Sequence, residues 1–106
     1  MLRRLGALLP FARYRIEGES MAPSVPPEER VVVNKAAYLF AQPRPGDLVV
    51  VRDPRQRDRL LLKRIDQPDS DGGWLVLGDN PSASTDSRTF GPVGRELIIG
   101  KVWFRY

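Results

Sequence analysis

The sequence contains no cysteine and no histidine. The first absence excludes disulfides, thiolate metal sites and cysteine nucleophiles. The second excludes imidazole ligands and any Ser-His-Asp triad. A catalytic base must therefore come from eight aspartates, five glutamates, three lysines, three tyrosines or the terminal amine. Long hydrophobic runs are missing as well. The N-terminal run from Leu5 to Ala12 is eight residues long, is broken by Pro10, and is flanked by Arg3, Arg4, Arg13 and Arg15. A membrane-spanning helix needs about 20 apolar residues, so this segment does not cross a bilayer.

What is present suits one small domain. The 106 residues are 42% hydrophobic, enough for a single core. Ten prolines and nine glycines divide the chain into short segments. Tyr14–Glu17, Arg30–Asn34, Leu48–Arg52, Leu60–Ile65, Trp74–Leu77 and Leu97–Tyr106 read as strands, with one helical turn over Ala36–Phe40. The expected fold is all-β, a small and mostly antiparallel coiled sheet or barrel. Residues 1–12 are expected as a tail or a short interfacial segment, with Leu8, Leu9 and Phe11 toward lipid. Residues 13–106 form the expected domain.

The charge is +4, with 14 arginines against three lysines. Arg52, Arg55, Arg57 and Arg59, with Asp53 and Asp58, fall at the expected hairpin tip. They read as a solvated tip, or else as a patch that meets phosphate or lipid. Trp74, Trp103, Phe104 and Tyr106 read as core or edge packing; the other reading is a stacking platform for single-stranded nucleic acid.

Without histidine, a serine nucleophile can be activated by a lysine whose burial disfavours the ammonium form. In Leu60-Leu61-Leu62-Lys63-Arg64-Ile65, strand alternation sets Lys63 on the face of Leu61 and Ile65. The same pattern also fits an edge lysine that snorkels to water. Ser20 follows a strand end in Gly18-Glu19-Ser20-Met21-Ala22-Pro23, where a sharp turn can expose its hydroxyl and aim its amide at an oxyanion; an ordinary turn serine fits too. Ser82, Ser84 and Ser87 lie in the polar stretch Gly78–Val93, which is dense in groups that bond locally to backbone.

Four blocks occur in order: Ser20-Met21-x-Pro23, Gly46-Asp47-Leu48-Val49-Val50, Lys63-Arg64, and Gly78-Asp79-Asn80 with Ser84-x-Asp86-Ser87-Arg88 and Gly91. Over residues 14 to 102 this resembles the signal peptidase I family of Ser/Lys proteases. The resemblance implies a Ser/Lys dyad, with Ser20 as nucleophile and oxyanion donor, Lys63 as general base, and Ser84 orienting the lysine. It implies that Asp79, Asn80, Asp86 and Arg88 brace the site and that Met21 and Pro23 lie along the substrate. It calls for no cofactor and no metal, and its partner is a protein bearing an N-terminal leader or propeptide, not nucleic acid. The chain departs from the family at Gly18, where some members carry a hydroxyl that serves as a second oxyanion donor. The family's bacterial export enzymes carry membrane anchors and often a second β domain after the Lys-Arg block. Here Asp66–Gly73 is a short turn, so a minimal catalytic core with no second domain is expected, either cytoplasmic or peripheral at a membrane. Size and the Gly18–Pro23 block look most like the small nickel-type superoxide dismutase maturation proteases.

Overall fold

The computed structural model describes residues 1–106. Runs of β-branched residues form strands because a branched side chain packs well on a pleated surface. Seven strands result: β1 (Leu2–Leu8), β2 (Phe11–Ile16), β3 (Arg30–Asn34), β4 (Leu48–Asp53), β5 (Gln56–Pro68), β6 (Trp74–Leu77) and β7 (Ile98–Arg105). They make one antiparallel sheet in the order β1-β2-β3-β7-β4-β5-β6. The last strand is thus inserted between β3 and β4, in the middle of the sheet. β1 also touches β5, so the sheet coils back on itself.

The middle strands are covered on both faces. Val31, Val32 and Val33 are all buried, as are Val49, Val50 and Val51. Strand parity divides them into two cores. Val50 and Leu62 join Leu2, Tyr14, Ile16 and Met21 inside the coil. Val49, Val51, Leu61 and Ile65 pack with Val76, Val93 and Ile98 on the other face. That second face is roofed by the segment between β6 and β7, which contains a 3-10 turn at Pro81–Ala83, the four-residue helix α1 (Ser87–Phe90) and a 3-10 turn at Arg95–Leu97. No helix is long and apolar enough to cross a membrane.

β3 and β6 have the bounds expected from sequence, whereas β5 extends well beyond Leu60–Ile65 at both ends. Ala36–Phe40 forms turns instead of a helical turn. The N-terminal residues form β1 and open β2, with Leu2 buried in the core and Leu8 and Leu9 exposed. Within the hairpin tip Asp53 is buried and accepts from the Arg55 amide at 2.9 Å, while Arg55 and Arg57 are exposed.

The aromatics differ in burial. Trp74 packs on the second core, but Trp103, Phe104 and Tyr106 are 63%, 46% and 49% exposed. Beyond Lys101, β7 has outrun β4 and pairs only with β3. Trp103 finds its contact in Phe11, stacked at 4.9 Å between ring centroids.

Candidate active site

Parity places the lysine. On β5, Lys63 lies opposite Val49 and shares the second-core face with Leu61 and Ile65. It is 2% exposed. Burial is the largest influence on its amine and lowers its pKa from 10.5 to about 8, because an apolar surround penalises the ammonium form. The charges of Arg59 and Arg88 push in the same direction, and the carboxylate of Asp86 opposes them.

The roof supplies the lysine's partner. Lys63 Nζ donates to Ser84 Oγ at 3.1 Å, and Ser84 Oγ donates to Asp86 Oδ2 at 2.8 Å. Asp86 can only accept, which commits the Ser84 proton to it and turns the hydroxyl lone pairs toward the lysine. Asp86 is fully buried and caps α1 by accepting from the Arg88 amide. It also accepts from the Gly78 amide at 2.8 Å and from the Arg88 guanidinium. Its pKa lies well below the usual carboxylate range: burial opposes ionisation, but the Arg88, Gly78 and Ser84 donors outweigh it. Ser87 Oγ, accepting from the Val76 amide at 2.8 Å, ties the start of α1 to β6.

Ser20 is fixed through its backbone. Gly18 turns the chain at φ +92°, a region that side chains resist. A serine would be strained in this conformation. Met21 then anchors the segment: it is 1% exposed in the first core, and the Asp79 amide points at its sulfur, 3.4 Å away. The Asn80 amide donates to the Ser20 carbonyl at 2.8 Å and its side chain to the Glu19 carbonyl at 3.0 Å. Arg64, alternating with Lys63, points the other way and grips Asp79 at 2.8 Å and the Gly46 carbonyl at 2.9 Å. The Lys63-Arg64 pair thus faces the site with one side chain and holds the Gly78–Asn80 loop with the other.

Ser20 and Lys63 line one cleft of 270 Å³, along with Gly18, Leu61, Asp53 and Arg59. The Ser20 hydroxyl and amide make no hydrogen bond within the protein, so both are free to meet a ligand. The Met1 amine also borders the cleft and donates to the Glu17 carbonyl at 2.7 Å. Ser84, Asp79, Asn80, Asp86 and Arg88 support the cleft from behind. Met21 and Pro23 do not line it: Met21 is buried as an internal anchor and Pro23 is exposed outside it.

Three contributors carry no role in the sequence reading, although Arg64 and Gly78 stand within its blocks. Arg64 was within reach of strand alternation. Arg59 lies four residues before Lys63 and hence on its face, although the sequence sets it at a hairpin tip that is either solvated or a phosphate- or lipid-meeting patch. Gly78 carries no local signal: a Cβ there would fall 2.6 Å from Ser84 Cβ and 2.8 Å from the Ser20 carbonyl oxygen, so glycine is what lets the two serine segments converge.

Residues 4–66 and 70–106 match the signal peptidase family, peptidase S26. The chain is 33% identical to the mitochondrial ATP-independent inner membrane protease subunit 1a of Arabidopsis thaliana, over 85% of this chain and 67% of that protein. It is 32% identical to the mitochondrial inner membrane protease subunit 2 of Schizosaccharomyces pombe, over 82% of this chain and 59% of the relative. With signal peptidase IB of Staphylococcus aureus the identity is 27%, over 88% and 76% respectively. A match along nearly the whole sequence places the chain in the signal peptidase family, peptidase S26.

Proposed function

We propose that the chain is a Ser/Lys endopeptidase that removes an N-terminal leader from a partner protein. The observation that carries this reading is a buried lysine, with its amine held by Ser84, in the same cleft as an unengaged serine. The neutral amine keeps one N–H on Ser84 and presents its lone pair to the cleft. It takes the proton of Ser20 Oγ as that oxygen bonds to the scissile carbonyl carbon. The oxyanion that forms meets the Ser20 amide. Collapse breaks the C–N bond, and Lys63 returns the proton to the leaving amine. Lys63 then deprotonates a water, which hydrolyses the ester and frees Ser20.

An amine titrating near 8 is neutral in about a tenth of molecules at pH 7, enough to act while remaining basic. The specificity constant kcat/KM for a leader peptide will therefore rise about tenfold per pH unit below a bend near 8 and level off above it. A rate profile from pH 5 to 10 measures this. Gly78→Ala will lower kcat/KM by about 10²-fold with a normal far-UV spectrum, because its methyl group pushes the Ser20 and Ser84 segments apart. A steady-state assay of the folded variant checks it.

The relatives support a leader of the signal-peptide kind as the substrate. The narrower target, the propeptide of nickel-type superoxide dismutase, rests on chain size and the Gly18–Pro23 block. Exposed Leu8, Leu9 and Trp103, beside relatives named for an inner membrane, support peripheral contact with a membrane over a freely cytoplasmic location. Incubating the purified chain with a secretory preprotein and with a pro-superoxide dismutase, then sequencing the new N-termini, tests the assignment. Cleavage at one bond after the leader is expected, and cleavage of neither substrate would contradict it.

A further inference from the structure

One cation in the cleft enters the chemistry above only through its charge. Arg59 stands on β5, on the same face as Lys63, and lines the cleft with it. Its Nε is buried and has no hydrogen-bond acceptor, a condition that few buried donors in a folded protein tolerate. It forms no ion pair. The neighbouring Arg55 is engaged: Asp53 accepts from its Nε at 3.2 Å and from its terminal nitrogen at 3.1 Å. The charge of Arg59 reaches both the Lys63 and Met1 amines, depressing each of them. Past Arg59 the cleft continues into a recess of 180 Å³ lined by Met1, Gln56 and Asp58. The segment leading to the nucleophile carries Glu17 and Glu19 along the same cleft.

We propose that Arg59 is a specificity-determining residue, forming a subsite for an acidic side chain close to the scissile bond of the substrate. A guanidinium presents a planar fork of donors that matches a carboxylate in shape and charge. The Arg59 side chain has neither an ion pair nor a hydrogen-bond acceptor in the protein, and an Asp or Glu of a bound peptide supplies one where the guanidinium borders the cleft. Glu17, Glu19 and Asp58 repel the same carboxylate, while the charge of Asp53, which also lines the cleft, is taken up by Arg55. This subsite rests on the peptidase reading above.

The test uses the full chain and one cleavable leader peptide, varied singly to Asp, Asn or Lys at three positions on each side of the cut. Rates are taken above the pH bend, where Lys63 is already neutral and the charge at residue 59 no longer sets the supply of base. At one position the wild type will favour Asp over Asn by about tenfold in kcat/KM, mostly through KM. Arg59→Gln will level that preference, and Arg59→Glu will reverse it toward Lys at the same position. Equal rates for Asp and Asn at every position would overturn the subsite. So would an Arg59→Gln loss of the same size on all peptides, which would mark a merely structural residue. If the wild type cleaves no peptide of the set, the peptidase reading fails and takes the subsite with it.

Discussion

Lys63→Met will abolish leader cleavage and at the same time raise the melting temperature at pH 7. Methionine is close to lysine in length and shape but has no amine, so the proposed nucleophile loses its proposed base while the space beside Leu61 and Ile65 stays filled. Loss of an activating residue of this kind lowers kcat by about 10⁴-fold or more. The stability gain follows from linkage. The folded amine titrates near 8 instead of 10.5, so between those values the unfolded chain binds more protons than the folded one. Wild-type stability therefore rises with pH across that window, and below pH 8 the buried ammonium costs about 3 kcal/mol. Ser84 loses its donor in the variant, which offsets about 1 kcal/mol. A net gain of about 2 kcal/mol raises the melting temperature by about 8–16 °C in a domain of this size. Melts at pH 7 and at pH 10 check the account: the gap between variant and wild type narrows at the higher pH. A methionine variant that melts lower than wild type at pH 7 would contradict the buried-amine argument.

Asp86→Asn will act in the opposite sense on stability and will also damage the site. The two oxygens of this buried carboxylate face only donors: the Gly78 amide, the Ser84 hydroxyl, and the Arg88 amide and guanidinium. An asparagine amide must point its own N–H groups at one set of them however it is flipped. Leaving a buried donor such as the Gly78 amide without its acceptor costs about 1–3 kcal/mol, which lowers the melting temperature by at least about 4 °C. The depressed pKa of Asp86 gives the sign of the pH dependence. Its contribution is complete above the ordinary carboxylate range and is lost as pH falls toward the folded value, so wild type and variant converge in acid. Activity falls too, because the freed Ser84 hydroxyl no longer presents its lone pairs to Lys63. The loss of a negative charge lets the Lys63 amine titrate lower still, and the bend in the rate profile moves to lower pH. A merely loosened fold would reduce the rate without moving that bend.

The parts of the fold that could be read in the sequence are those governed by strand parity and by valine-rich runs. Arg30–Asn34 and Trp74–Leu77 appear as written, and alternation on β5 turned Lys63 inward. Parity reaches only along one strand. It could not show that β1 would form from a segment broken by Pro10 and studded with arginines, because that strand owes its place to pairing with β2. Nor could it show that Met21 turns inward, since residues after a strand end have no fixed period. The cleft itself joins segments far apart in the chain, and the roles of Gly78 and Arg59 arise from that juxtaposition alone. The exposed Trp103, Phe104 and Tyr106 follow from β7 outrunning β4, a matter of relative strand length that no local pattern records.

The central claim is that Ser20, activated by Lys63, attacks the peptide bond. Its most direct test is the rate at which Ser20→Ala cleaves a leader peptide that the wild type cleaves, measured beside Lys63→Met under the same conditions. Ser20 is half-buried and its hydroxyl makes no hydrogen bond in the protein, so the alanine variant will fold and melt as the wild type does. Cleavage will fall to background in both variants. Folded Ser20→Ala that still cleaves at a rate near that of the wild type would contradict the mechanism.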